Sequence, residues 1–269
     1  MAVTATPTPE AILALALTAG WLNTCFHLVY HRVPLYLSPR DAFGDAAGKW
    51  PPLGQIIVAI AALASIWAFG LAWRPVLAGG ATLACLLRLR RWEVATYPNK
   101  LVVRLGKYAP ASACLMGWLL ALLLADALGY DEATQRARGW DAAAGVFGGC
   151  YVLAGIAKIR ESGWDWGRAE SMSVMLAERG FGRLGGLRLA LAQSRAACTV
   201  IGVTGMGIEL GAIAFVWPPA RPWLAMAVVG FKAMTWGLFG YFEPEWTLAV
   251  IAIGVAAAAI GGAGWGTLG

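Results

Sequence analysis

Residues 108–129 read YAPASACLMGWLLALLLADALG, an apolar run interrupted by one charge, Asp126, close to its end. The run matches the ~20 helical residues needed to cross the ~30 Å hydrocarbon layer of a bilayer. In lipid a lone segment satisfies its backbone N–H and C=O groups only as a helix, so these residues read as a transmembrane helix. Working outward from them, the same reading gives eight apolar segments, near 10–30, 53–73, 75–89, 108–129, 141–159, 196–217, 222–242 and 246–266, of which the third is short. The expected fold class is an all-α integral membrane protein, a bundle of about eight transmembrane helices forming a single polytopic domain over residues 1–269.

Composition points the same way. The chain is 59% hydrophobic and 13% charged, with a mean hydropathy of +0.64. A soluble domain cannot hide that much apolar surface, whereas a bundle in lipid has no need to. The net charge of +6 does not indicate a nucleic-acid partner, because no basic-and-aromatic ribbon or nucleic-acid motif accompanies it. The cations follow membrane topology instead. Connections 1–2, 3–4 and 5–6 carry sixteen: Arg32, Arg40, Lys49, Arg88, Arg90, Arg91, Lys100, Arg104, Lys107, Lys158, Arg160, Arg168, Arg179, Arg183, Arg188 and Arg195. The opposite side carries four, Arg74, Arg136, Arg138 and Arg221, and Lys232 lies inside a span. This asymmetry assigns the basic connections to the cytoplasm and both termini to the outside, in what is expected to be a bacterial inner membrane. Trp73, Trp92, Trp140, Trp217, Trp223 and Trp246 fall near span ends, where an amphipathic indole is favoured. Pro51-Pro52 and Pro218-Pro219 separate spans.

Met1–Glu10 holds no Lys or Arg, so a cleaved secretory signal is not expected. Cys25, Cys85, Cys114, Cys150 and Cys198 show no metal-ligand or disulfide spacing and read as small buried hydrophobes. Gly254, Ala258, Gly262 and Gly266 recur every fourth residue in the last segment, a stripe that suits close packing within the bundle or a homodimer seam. Between spans five and six, residues 168–179 read as a helix with Met172, Met175 and Leu176 on one face, and with Arg183, Arg188 and Arg195 and the leucines between them the stretch reads as a basic amphipathic helix expected to lie on the membrane surface. Glycines 180, 182, 185 and 186 break it in the middle.

Ionisable groups inside a membrane are costly and require an explanation. Glu209 in span six and Lys232 in span seven fall at similar depth on antiparallel neighbours and are expected to form a buried ion pair, either orienting the helices or serving as a proton or anion site. His27 and His31, spaced i, i+4 on one helix face, form a second candidate group together with Lys158 at the end of span five. No third ligand accompanies the histidines, so no metal is expected. Lys158 would otherwise extend its ammonium to the headgroups. No phosphate-binding glycine loop or nucleophile elbow is present.

The run Tyr151–Met172, YVLAGIAKIRESGWDWGRAESM, resembles the signature of the horizontally transferred transmembrane domain family, which includes the vitamin K-dependent gamma-carboxylases. Tyr151, Ala154, Gly155, Lys158, Trp164, Gly167, Ser171 and Met172 carry the likeness. Weaker similarity extends over residues 90–242, including a glutamate-bearing helix at Glu209 and a phenylalanine-rich one with Phe231, Phe239 and Phe242. Where that family tends to have Phe-His, this chain has Phe231-Lys232. The resemblance implies a membrane-embedded, carboxylase-like enzyme whose base is Lys158, assisted by His27 or His31, with a quinone or other isoprenoid lipid as cofactor or substrate. The residues alone leave two alternatives: a non-catalytic subunit of a membrane complex that binds pigment, quinone or lipid, and a small-solute or proton-coupled transporter using Glu209 and Lys232. Membrane lipids, and membrane-protein partners or a second copy of the chain, are the expected partners.

Overall fold

The computed structural model describes residues 7–26, 52–89, 109–178, 184–240 and 243–264. The described residues form ten α-helices and no strand: α1 Pro9–Phe26, α2 Pro52–Leu71, α3 Pro75–Leu89, α4 Pro110–Ala127, α5 Glu132–Ser162, α6 Ala169–Glu178, α7 Gly185–Gln193, α8 Arg195–Gly211, α9 Arg221–Phe239 and α10 Pro244–Gly264. Short 3₁₀ turns, Gly163–Gly167, Ala212–Val216 and Pro218–Ala220, join α5 to α6 and α8 to α9. Each of the eight apolar segments is thus mainly helical over its described residues. Four stretches are long and apolar enough to cross a membrane, Pro110–Ala127, Glu132–Arg160, Arg195–Val216 and Pro218–Phe239. Pro9–Leu22, Ile60–Leu71, Pro75–Cys85 and Pro244–Ile260 are shorter apolar helices.

Helix ends follow local chemistry. Proline opens α1, α2, α3, α4 and α10, where its missing N–H removes nothing from the helix ladder. Gly240 closes α9 in the left-handed region at φ 76°, which a side chain would strain. The α5 helix starts nine residues before the apolar segment at 141, because the Asp131 carboxylate accepts the Thr134 N–H at 2.8 Å and caps a polar first turn. Hydropathy alone registers only the apolar part of such a helix.

The main core runs through α1, α2, α3, α4, α5, α9 and α10, with Leu13, Leu17, Ile66, Phe69, Leu115, Trp118, Phe147, Phe215 and Ile253 fully enclosed. Elsewhere the surface is apolar: Leu120 and Leu124 on α4 and Val200 and Val203 on α8 are more than half exposed. Helices α6 and α7 pack against one end of α8 and α9. Met172 and Leu176 of α6 are buried with Cys198, Leu238 and Phe239. The segment expected to lie on the membrane surface therefore turns its apolar face onto the bundle, because the ends of α8 and α9 offer an apolar partner there. Arg188 of α7 donates to the Leu176 and Ala177 carbonyls, satisfying the open end of α6.

Candidate functional site

Helix α5 closely approaches α8 and the 3₁₀ turn after it along a glycine-bearing face. A Cβ on Gly148 would lie 2.5 Å from the Ala212 carbonyl oxygen, and one on Gly155 would lie 3.3 Å from Glu209 Cβ. The absence of a side chain at 155 lets Glu209 sit against α5. One turn further along α5, Lys158 Nζ forms an ion pair with Glu209 Oε1. The Lys158 ammonium also lies 5.0 Å from the centroid of the Trp166 ring, which the 3₁₀ turn after α5 places beneath it. Gly202 makes that placement fit, since a Cβ there would reach the Trp166 carbonyl oxygen at 2.9 Å.

Glu209 is 6% exposed, and its second oxygen, Oε2, has no hydrogen-bond partner among the described residues. The Tyr151 hydroxyl is likewise buried without a partner among them. Tyr151 stands seven residues before Lys158, on the same face of α5. Its ring packs against Trp246 of α10 at 4.8 Å and Phe147 at 5.2 Å.

The expected Glu209–Lys232 pair does not form. Lys232 binds Glu243, which stands just before α10, and its ammonium lies over the rings of Trp246 at 4.7 Å and Tyr151 at 5.7 Å. Depth along two antiparallel helices fixes height and not facing. Helix α8 lies mainly against α5 and α6, whereas α9 lies mainly against α10, so each charge meets the opposite charge on its own neighbour. Tyr151 neighbours both Lys–Glu pairs: the Lys232 ammonium lies 5.7 Å from its ring centroid, and Gly155, one turn further along α5, lies against Glu209.

Of the residues singled out from the sequence, Lys158, Glu209 and Lys232 fall in this region, while His27 and His31 lie outside the described residues. The spacing of Tyr151 and Lys158 made Tyr151 findable as a member of the site. Glu243 could be found as an acid at the one basic-side connection that lacks cations. Trp246 was legible only as an interfacial tryptophan, and nothing in the sequence singled out Trp166.

A second polar tier occupies the other end of α5. Arg136 holds both oxygens of Glu10, at 2.7 and 2.6 Å, and Trp140 Nε1 donates to Glu10 Oε1 at 3.0 Å. Arg221 donates to Asp141 Oδ1 at 2.6 Å and to the Phe215 carbonyl at 2.8 Å. Three of the four cations on the sparse side thus meet an acid, since Arg138 also lies 3.6 Å from Asp141. Among the described residues no cluster of three or more His, Cys, Asp or Glu suits a metal ion. No known family model, curated protein or solved structure matches this chain.

Proposed function

We propose that the chain is an integral membrane protein whose eight apolar helices all cross the bilayer, with the cation-rich connections cytoplasmic, the termini outside, and Lys158–Glu209 serving as an acid–base pair toward a lipophilic substrate. The spacing of the two polar tiers supports the topology. Asp141 and Lys158 are seventeen residues apart on α5, about 25 Å of helix, close to the ~30 Å of a hydrocarbon core. Membrane lipids would then cover the exposed leucines and valines of α4 and α8.

The observation that carries the acid–base reading is the pairing itself. The lysine that the motif singles out meets a buried carboxylate with one oxygen unengaged. A close ammonium–carboxylate pair shares one proton between two bases, so the pair can take up or return a proton within an apolar setting. Glu209 would hold the proton that leaves Lys158 Nζ, and the freed amine would be the base. Tyr151, Phe147 and Trp246 supply aromatic surface beside it.

A hydroquinone or similar isoprenoid phenol fits this donor set, because the Glu209 Oε2 and Tyr151 hydroxyl orphans together can accept from and donate to a hydroxyl group. When bound, such a group supplies an acidic hydroxyl whose proton Lys158 can accept.

The test is turnover of a reduced naphthoquinone by the purified chain in lipid nanodiscs, with mass spectrometry of any isoprenoid lipid that stays bound. Lys158→Met is expected to lower turnover by about a hundredfold or more, the usual contribution of a positioned proton-transfer group, with the bound lipid retained. Undiminished turnover in Lys158→Met would remove the lysine from the mechanism and leave the reading of a non-catalytic, lipid-binding membrane subunit.

A further inference from the structure

We propose that α7 is an in-plane helix seated in the cytoplasmic leaflet, with Leu187 and Leu189 among the acyl chains and with Arg188 and Arg195 drawing anionic phospholipid to it. The inference rests on the topology proposed for the chain and adds the element that meets the leaflet surface and the lipid class it selects.

Contacts at its two ends set the direction of α7. At its start, the Leu184 N–H donates to the Gly237 carbonyl of α9 at 3.3 Å, and a Cβ on Gly237 would lie 3.1 Å from Leu184 Cδ1. At its end, Cys198 Sγ of α8 donates to the Leu191 carbonyl at 3.3 Å, and Ser173 Oγ of α6 donates to the Ala192 carbonyl at 2.7 Å. Gly237 lies in the last turn of α9 and Cys198 in the first turn of α8. In antiparallel neighbours these turns share one end of the bundle. From Leu184 to Leu191 the helix rises about 10 Å, which matches the ~8–10 Å between the axes of packed helices. Helix α7 therefore runs across the ends of α8 and α9 instead of along them, in the plane that a bilayer surface takes there.

The two helices of this corner present different outer surfaces. The exposed positions of α6 are Glu170, Val174, Ala177 and Glu178, a face suited to water. Those of α7 are Gly186, Leu187, Leu189, Ala190 and Gln193, with no charge among them. Helix α6 turns its apolar side onto the bundle, whereas α7 keeps two leucines outside it.

Charge decides what covers that face. In-plane helices sink their apolar side to the boundary between headgroups and acyl chains and carry cations beside it. Arg188 of α7 donates to the Leu176 and Ala177 carbonyls and meets no carboxylate among the described residues. Arg195, just after α7, is 84% exposed and holds Glu170 at 3.2 Å in an exposed pair, a weak tie that a lipid phosphate can replace. An acidic protein segment would satisfy the arginines but not an uncharged leucine face lying in the bilayer plane. A leaflet with anionic headgroups satisfies both.

Two measurements on the full chain in nanodiscs of mixed phosphatidylcholine and phosphatidylglycerol test the proposal. The first places spin labels on single cysteines, Leu187→Cys, Leu189→Cys, Glu178→Cys on α6 and Leu120→Cys on the exposed face of α4, with the native cysteines replaced by alanine. Labels at 187, 189 and 120 are expected to be reached by oxygen and shielded from a water-soluble relaxation agent, and the label at 178 to show the reverse. Water at 187 and 189 with lipid at 120 would overturn the proposal while the topology stands, and would leave the face to a protein partner. Water at 120 as well would remove the membrane reading and this proposal with it. The second measurement is native mass spectrometry of lipid retained through mild detergent. The wild type is expected to keep phosphatidylglycerol in preference to phosphatidylcholine. Arg188→Gln and Arg195→Gln are each expected to lower that preference by about fivefold, the worth of one arginine near an anionic surface. Arg195 makes only an exposed pair, so its variant reads lipid selection apart from any loss of fold in Arg188→Gln. Equal retention of the two lipids by the wild type, or an unchanged preference in Arg195→Gln, would overturn the selection of anionic lipid.

Discussion

At the Glu10 end of the bundle the buried carboxylate is closed on every side: Arg136 engages both of its oxygens and Trp140 donates to one of them. At the Lys158 end, Glu209 is almost as deeply buried but has one oxygen engaged and the other free of partners among the described residues. The first arrangement has the marks of a structural tie. A planar guanidinium meets a carboxylate in two parallel bonds, and the contact joins the first helix to the fifth. The second pairs a lysine, a point charge on a flexible stem, with a carboxylate that keeps unused hydrogen-bonding capacity. Satisfied polar networks fix structure, and incompletely satisfied ones inside apolar surroundings are where chemistry becomes available.

Substitutions can break this comparison. Arg136→Met should be the most damaging, because it leaves the Glu10 carboxylate buried without its counter-charge. A loss of about 3–5 kcal/mol is expected, read as a large fall in thermal stability in detergent. Gly148→Ala comes next, since its Cβ would meet the rigid Ala212 carbonyl at 2.5 Å; overpacking of this kind costs about 1–3 kcal/mol. Gly155→Ala should be milder by the same assay, because its nearest obstacle is the flexible end of Leu210 at 3.0 Å.

Glu209→Gln should cost little stability. The substitution removes the buried charge itself and leaves Lys158, 31% exposed, able to redirect its ammonium, so the loss should be smaller than in Arg136→Met, while turnover falls. If Glu209→Gln destabilises as much as Arg136→Met, the two tiers do the same structural work and the distinction drawn between them collapses. The smallest effect concerns Asp131, whose carboxyl is held below its ordinary range chiefly by the Thr134 N–H. A carboxyl lowered in the folded state stabilises it above its unfolded pKa and ceases to as pH falls through the lowered folded value. Acid titration of thermal stability should therefore lose a small increment at the acid end of the carboxylate range, and Asp131→Asn should remove that increment.

Much of the architecture could be read from the residues. Apolar length located eight of the ten helices, α6 was legible from its amphipathic pattern, and proline marked where α1, α2, α3, α4 and α10 begin. The polar start of α5 was not legible, because an N-capped helix continues past the apolar residues that announce it. The site was legible in part. Lys158 and Glu209 stood out as ionisable groups at or within spans, yet the sequence reading paired Glu209 with Lys232. Helix rise gives the depth of a side chain, but the neighbour it faces depends on how whole helices pack. The closeness of α5 to α8 and the turn after it rests on Gly155 and Gly148, and a lone glycine in an apolar run carries no sign of which element it admits.

The central claim is that α5 crosses the bilayer with one polar tier at each edge. It is tested most directly by placing single cysteines at Gln135 and Arg160 in a background with Cys25, Cys85, Cys114, Cys150 and Cys198 replaced by alanine, and labelling them with a membrane-impermeant thiol reagent. The cysteine at 135 should react in intact cells and the one at 160 only in inverted vesicles. Reaction of both from the same compartment would contradict the account.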